Sequence, residues 1–368
     1  MIRARIRKHF SAGAESSAFD LDVDFEAGDG VTVLFGASGA GKTLTLDSIA
    51  GFARPDEGRI LLDDRILFDA DTGVSLRPQD RGCGYVFQNY ALFPHMTLRG
   101  NLEFAAEWLP RLERHRRVND MLERFRVVEF AGRYPHEVSG GQKQRCSIAR
   151  ALIVHPRLLL LDEPARGLDA PLRDDLYSVL RELREEFRVP ILLVTHDLDA
   201  AFAVGDEMLV YAGGRIAQRG KPSALLPDPV SEEVARLFGY TTFVPGEVLK
   251  LNPAANSSVV RMLGRDFAGP YYPGKLIGAR LTLCIRSEEL RLTDAAGENR
   301  IAVEVASVEE RPGGVRLRLM IPEGTAVSVD VPRNEWEQAK ERKDYYVEIP
   351  ASAMHALKNA RPSETIGG

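Results

Sequence analysis

VTVLFGASGAGKTLTLDSIAGF, residues 31–52, opens with five apolar or β-branched residues, crosses a small-residue turn and ends in an apolar segment of helical spacing. The turn, Gly36, Ala37, Ser38, Gly39, Ala40, Gly41, Lys42 and Thr43, matches GxxxxGK[ST] between a strand and a helix. Phosphate groups need such a turn because backbone N–H groups, unobstructed by side chains at Gly39 and Gly41, converge on anionic oxygens at a helix amino terminus. Lys42 is expected to neutralise the β- and γ-phosphates of a nucleotide, and the Thr43 hydroxyl to coordinate Mg²⁺. The competing reading is a glycine-rich turn that happens to contain lysine, and the flanking strand and helix weigh against it.

Working outward, LLLLD (158–162) and ILLVT (191–195) have the continuous apolar character of strands buried on both faces. Between them, residues 170–187 place Leu172, Leu176, Val179, Leu180 and Leu183 on one helical face. This alternation predicts an α/β domain. LLLLDEP puts Asp162 and Glu163 at a strand's carboxyl end, where ligands of open α/β sheets bind. There Asp162 is expected to hold Mg²⁺ through water and Glu163 to polarise the attacking water. The alternative is a pair of acidic residues capping the next helix.

The pattern changes near residue 240. From FVPGEVLKL onward, short alternating segments separated by Gly, Pro or Asn suit a small antiparallel barrel or sandwich. The expected organisation is therefore an α/β domain over 1–240, a β-rich domain over 241–360 and a flexible tail over 361–368. A chain of 368 residues also exceeds the usual size of one hydrophobic core.

Composition narrows the class further. Hydrophobic residues make up 44% of the chain and charged residues 27%, as in ordinary globular proteins. No apolar run approaches the roughly 20 residues of a membrane span, and the basic MIRARIRKHF lacks the apolar core of a secretory signal, so the chain is expected to stay in the cytoplasm. Cys83, Cys146 and Cys284 form no CxxC pair and suggest neither zinc nor a disulfide framework. A formal net charge of −5 does not suggest a nucleic-acid binder. The local exception, RLERHRRVND (111–120), is punctuated by acids and reads as a solvated helix face.

Further motifs stand in a fixed order. VSGGQKQR (138–145) precedes LLLLDEP by one helix and loop, GLDA (167–170) follows it, and VTHD (194–197) comes after the next strand. Together with the phosphate loop they closely resemble the ATP-binding cassette (ABC) family across residues 1–240. The resemblance implies a helical subdomain at about 89–157. It makes Ser139, Gly140, Gly141 and Gln142 the signature loop, Asp169 the D-loop aspartate, and His196 the switch histidine at the γ-phosphate. Gln88, in YVFQNYALFPHMT, matches the loop that senses Mg²⁺ and the attacking water. Phe10 is the candidate for stacking on adenine, with an insertion within SAGAESSAF; Phe19 is its competitor and also reads as a core residue of the next strand.

In this family the signature loop closes over ATP held by the opposite subunit, so the resemblance implies a homodimer with two nucleotides at its interface. Tyr90, Phe93, Pro94 and His95 fall in the segment that meets the membrane partner, which implies permease subunits and, indirectly, a solute-binding protein. The implied place is the cytoplasmic face of the membrane. LTLCIRSEELRLTD and the strands after it resemble the TOBE regulatory domains of importer ATPases, which favours import over export. FGASGAGKT and GYVFQNYALFPHMTLRGNLEF look most like molybdate-importer ATPases, where Phe35 and the RGNL string are typical; sugar, polyamine and ferric-iron importers are the alternatives. A soluble ABC ATPase acting on ribosomes or DNA would carry two cassettes or a long coiled-coil insertion, and a binding-only nucleotide switch would lack Glu163 and the second cradle.

Overall fold

The computed structural model describes residues 1–12, 18–187, 189–322, 324–342 and 344–358. Most of the SAGAESSAF insertion and the whole of the expected tail at 361–368 lie outside the described residues. The chain forms two compact units, Met1–Ser223 and Ala224–Gly368.

In the first unit an antiparallel sheet and a mainly parallel sheet enclose one core. The antiparallel sheet comprises β1 (Ile2–Phe10), β2 (Phe19–Ala27), β4 (Glu57–Leu62), β5 (Arg65–Asp69) and β6 (Val74–Ser75), in the order β2-β1-β4-β5-β6. Alternation in β1 buries Ile2, Ala4 and Ile6 while Arg3, Arg5 and Arg7 face out, the period-two signature of a half-buried strand.

The second sheet comprises β3 (Val31–Gly36), β7 (Cys83–Val86), β8 (Leu158–Asp162), β9 (Ile191–Thr195), β10 (Glu207–Ala212) and β11 (Arg215–Gly220), in the order β11-β10-β3-β9-β8-β7. All of its neighbours are parallel except β10 and β11. Every residue of β3, β8 and β9 is buried, which is why these segments are continuously apolar rather than alternating. The α/β expectation is met here.

Helices connect these strands: α1 (Lys42–Ala50), α2 (Leu98–Ala105), α3 (Arg111–Arg124), α4 (Gly140–Leu152), α5 (Ala170–Phe187) and α6 (Leu198–Val204). The described chain between β7 and β8 forms helices and turns only. On α3 the basic run faces solvent while Val118, Met121 and Leu122 pack inward. On α5 Leu176, Tyr177 and Leu180 are buried; the Leu183 side chain lies outside the described residues.

Register decides the site. Phe35 pairs with Thr195, Asp162 with Val194 and Val86 with Leu161. The carboxyl ends of β3, β9, β8 and β7 therefore lie side by side, and the chain leaves each at the same edge.

The second unit holds two five-stranded antiparallel sheets. One is β14-β13-β12-β15-β21, built from β12 (Tyr240–Asn252), β13 (Ser257–Met262), β14 (Arg265–Pro270), β15 (Arg280–Arg286) and β21 (His355–Ala356). The other is β16-β20-β17-β18-β19, built from β16 (Arg291–Thr293), β17 (Arg300–Arg311), β18 (Gly314–Met320), β19 (Ala326–Pro332) and β20 (Tyr345–Glu348). Val244, Val260, Leu283, Leu317, Val329 and Val347, from both sheets, share one core. The pattern change at residue 240 coincides with the first residue of β12, yet 224–239 group with this second unit. The reason is packing: the helix Glu232–Leu237 buries Val234 and Ala235, and Tyr240 donates to the Leu226 carbonyl at 3.0 Å. Among the described residues no helix is long and apolar enough to cross a membrane.

Candidate functional site

The loop after β3 is shaped by glycines whose backbone other residues resist. Gly41, the residue capping α1, has φ +100°, and a Cβ there would stand 2.5 Å from Leu21 Cδ1. Gly36 has φ +156°, and a Cβ there would stand 2.5 Å from the Tyr211 carbonyl oxygen. Only glycine fits either place without strain. Lys42, 5% exposed, donates to the carbonyls of Gly36 at 2.8 Å and Ala37 at 2.7 Å. Its ammonium thus lies inside the curl of residues 36–43. Burial pulls its pKa down, while Glu163 and Asp162 push the other way.

At the end of β8 the two carboxylates divide. Asp162 is 5% exposed and accepts from Thr43 Oγ1 at 3.0 Å. Burial raises its pKa; the Thr43 bond opposes that, and Asp47 and Glu163 add to it. Glu163 leaves the strand with φ +45°, a conformation costly for a residue with a Cβ. Its N–H still bonds Val194 O at 3.0 Å, which ties the turn to β9. Its carboxylate meets His196 Nδ1 at 3.1 Å through Oε1 and Arg166 Nη1 at 3.4 Å through Oε2. A 160 Å³ cavity opens here, lined by Glu163, Arg166, Gly167, Leu168, Thr195 and His196 among others.

Gln88 follows β7 at the same edge. With its amide oxygen turned towards Arg166, it accepts from Nε at 3.1 Å and from Nη1. The segment after it is clamped from below. Ser147 and Arg150 of α4 donate to Tyr90 O at 2.9 and 3.3 Å, and Arg150 also to Ala91 O at 2.8 Å. Tyr90 and Ala91 both have positive φ, +64° and +45°. Asn101, buried completely, receives Phe93 N–H at 2.8 Å and donates to Thr97 O at 3.0 Å, so the asparagine of the RGNL string fastens the aromatic loop.

The Ser139–Gln142 turn starts α4. Ser139 Oγ accepts from Gln142 N at 3.3 Å while Gln142 Oε1 accepts from Ser139 N at 2.9 Å, a reciprocal cap. A Cβ on Gly141 would stand 2.9 Å from Leu172 Cδ2, and one on Gly140 3.5 Å from Leu168, so this turn abuts the segment after Glu163. Arg145 is ion-paired with Asp175 of α5. Asp169 Oδ1 accepts from Leu172 N at 3.1 Å and caps α5.

The structure therefore brings together Gly36–Thr43, Gln88, Asp162, Glu163 and His196, and sets the Ser139–Gln142 turn against Leu168 and Leu172, which flank Asp169. Among the described residues no hydrogen bond or ion pair joins the Ser139–Gln142 turn to Gly36–Thr43. Phe10 is 42% exposed, with Lys8 Nζ 5.3 Å from its ring centre and Phe19 at 6.5 Å. Phe19 is partly buried, and its ring edge would be 3.2 Å from a Cβ on Gly41.

Sequence reading missed three contributors. Arg166 sits inside the DEPARGLD run, and an arginine three residues after the glutamate at a helical offset was a usable signal. The Asp47–Tyr85 bond, 2.9 Å, sets a half-buried carboxylate beside Asp162; partial burial raises its pKa and the tyrosine hydrogen bond opposes that. Arg81, 2% exposed, donates to Ser48 O, Ile49 O and Leu76 O at 2.7–2.9 Å and so secures the far end of α1. Neither of the last two had a local signature. A larger cavity, 440 Å³, lies in the second unit between residues 270–275 and 354–358 and contains none of the motif residues.

The chain is similar to several known proteins. The family model described as ABC transporter matches residues 19–166. The molybdenum import ATP-binding protein ModC of Paramagnetospirillum magneticum is 43% identical over 57% of this chain and 58% of its own. That of Rhodospirillum rubrum is 34% identical over 94% of both chains. The spermidine/putrescine import ATP-binding protein PotA of Nitrosospira multiformis is 37% identical over 78% of both. Among solved structures, a dimeric ATP-binding cassette in a post-hydrolysis state bound to ADP and Pi shares 28% identity and a TM-score of 0.53, over 60% of this chain and 99% of that one.

Proposed function

This chain belongs to the ABC transporter family, and we propose that within it the chain is the ATPase of a molybdate importer, working as a homodimer on the cytoplasmic face of the membrane. It is an ATP-binding and ATP-hydrolysing import subunit. Molybdate as the cargo rests on the import proteins at 43% and 34% identity; sulfate/thiosulfate at 35% and polyamine at 37% are the alternatives. Permease subunits, and a solute-binding protein that delivers the anion, complete the assembly.

One observation carries the catalytic assignment: the adjacent carboxyl ends of β3, β9, β8 and β7 present a buried cation, two carboxylates, a histidine and a glutamine at one edge. Residues Gly36, Ala37, Ser38, Gly39, Ala40, Gly41, Lys42 and Thr43 cradle the phosphates with backbone N–H groups, and Lys42 holds the β- and γ-oxygens. Phe10, the exposed ring, stacks on adenine. Mg²⁺ suits the donor set at Thr43, Gln88 and Asp162: these are hard oxygen ligands, and the buried Asp162 carboxylate stands 3.0 Å from the Thr43 hydroxyl. When bound, the ion would supply charge neutralisation at the phosphate oxygens.

Glu163 Oε2 takes the proton of the attacking water. His196 holds the other carboxylate oxygen through Nδ1, which leaves Nε2 to face the γ-phosphate. Ser139, Gly140, Gly141 and Gln142, with Asp169, complete the site of the second copy. That no hydrogen bond or ion pair among the described residues joins the two cradles within one chain supports this pairing.

Glu163→Gln tests the base. The expected result is ATP binding within about threefold of wild type and turnover reduced by about 10²–10⁴, the usual contribution of a general base, read by calorimetry and phosphate release. Unchanged turnover would reject the assignment. For the cargo, ATP-driven uptake by the reconstituted complex should require molybdate and not putrescine or sulfate.

A further inference from the structure

From the geometry at the end of β1 we infer that Lys8 is a positioning residue for the nucleotide base, holding the Phe10 ring from one face so that the other receives adenine. This rests on the reading of Phe10 as the stacking ring. Lys8 Nζ lies over that ring, 5.3 Å from its centre. The ring is 42% exposed and so keeps free surface for a base. Alternation along the strand brings the pair together, since residues 8 and 10 project from one side of β1 and His9 from the other.

The ammonium is itself anchored. Lys8 donates to Arg54 O at 2.8 Å and to Asp56 Oδ1 at 3.4 Å, and its side chain is only 20% exposed. Asp56 Oδ2 accepts from His9 N at 2.8 Å, and Asp56 N donates to Arg7 O at 2.9 Å. The His9 bond, with a smaller contribution from Lys8, holds the Asp56 carboxyl below the usual carboxylate range, so the Lys8–Asp56 pair is ionic at neutral pH.

These contacts replace a missing strand. Pairing of β1 with β4 runs from Ile2 opposite Leu62 to Arg7 opposite Glu57 and stops, whereas β2 pairs with β1 as far as Phe10. Past Arg7 the β4 side of β1 is held by Lys8 and Asp56 instead. The 54–56 segment is tied in turn to α1, because the N–H groups of Gly51, Phe52 and Ala53 all reach Asp47 O at 2.9–3.1 Å. One helix thus carries the phosphate turn at its start and the anchor of Lys8 just past its end. A cation over a ring face is attracted to the ring's negative quadrupole, so the contact resists rotation of Phe10 away from it. A ring already restrained loses less freedom when a base stacks on it.

The test is calorimetric titration of the purified full-length chain, with Mg²⁺ present, using ATP and inorganic tripolyphosphate as ligands. Lys8→Met should weaken ATP binding by about two- to fivefold, the weight of an exposed cation–π contact, and leave tripolyphosphate affinity unchanged, because that ligand has no base. Lys8→Arg keeps a cation over the ring and should recover most of the loss. Phe10→Ala should weaken ATP alone, by about fivefold or more, and adding Lys8→Met to it should cost nothing further, since Lys8 acts through the ring. A general loosening of the sheet would weaken both ligands alike. The inference is overturned if Lys8→Met leaves ATP affinity unchanged, weakens tripolyphosphate equally, or adds its full loss to that of Phe10→Ala. If Phe10→Ala binds ATP as wild type does, it is the reading of Phe10 that fails, and the role of Lys8 falls with it.

Discussion

The two helix starts of the first unit, at Gly41–Thr43 on α1 and at Ser139–Gln142 on α4, are built from similar small residues and end in opposite conditions. At α1 the capping residue is a left-handed glycine with no side-chain cap, and a buried lysine lies inside the loop. At α4 the capping residue is an extended serine whose hydroxyl and whose partner Gln142 satisfy each other on an exposed surface. The first start leaves its N–H groups and its charge to an anion. The second is closed upon itself and offers only what remains after capping, the N–H groups of Gly140 and Gly141. Two different caps thus separate the proposed strong site from the proposed weak one, and the weak one is expected to need a nucleotide already anchored elsewhere.

This contrast can be broken by experiment. Ser139→Arg should leave ATP affinity within about threefold while cutting turnover by about a hundredfold, the scale of losing a preorganised set of donors; normal turnover in a phosphate-release assay would mean the second start takes no part. Lys42→Ala should do the reverse, weakening ATP binding by about 10–100-fold through loss of hydrogen bonds between charged groups. Calorimetric titration of the purified chain decides it, and wild-type affinity would erase the distinction between the two starts.

The smallest effect sharpens the account of α1. Burial raises the pKa of Asp162 above its ordinary 3.8, so between that value and the folded one the native state holds a proton that the unfolded chain has released. The associated stability is therefore lost as pH rises through that window, and at neutral pH the buried charge is a cost. In metal-free buffer at pH 7, Asp162→Asn should stabilise the protein by about 1 kcal/mol, raising Tm by about 2–4 °C. That gain should shrink as pH falls towards 4. A thermal scan showing Asp162→Asn less stable at pH 7 would contradict the raised pKa.

Much of this was open to reading in the chain itself. Strands β3, β8 and β9 were legible because burial on both faces demands unbroken apolar runs, and the loop at Gly36–Thr43 because its chemistry tolerates few substitutes. Position 240 was legible as a change of period, though 224–239 were not assignable, since their attachment to the second unit depends on where Val234 and Tyr240 pack. Arg81 illustrates the limit. An arginine in a turn reads as solvated, and only the assembled fold encloses it against the carbonyls of α1.

By itself the sequence determined the order of motifs, the class of each strand and the small-residue turn proposed to meet phosphate, because local periodicity and backbone freedom are written residue by residue. Only the tertiary structure decided which groups meet. Parallel pairing with Phe35 opposite Thr195 and Asp162 opposite Val194 brings four distant strand ends to one edge. Arg166 acquires its contacts with Gln88 and Glu163 there, since a long flexible side chain takes its partners from whatever the fold sets within its reach.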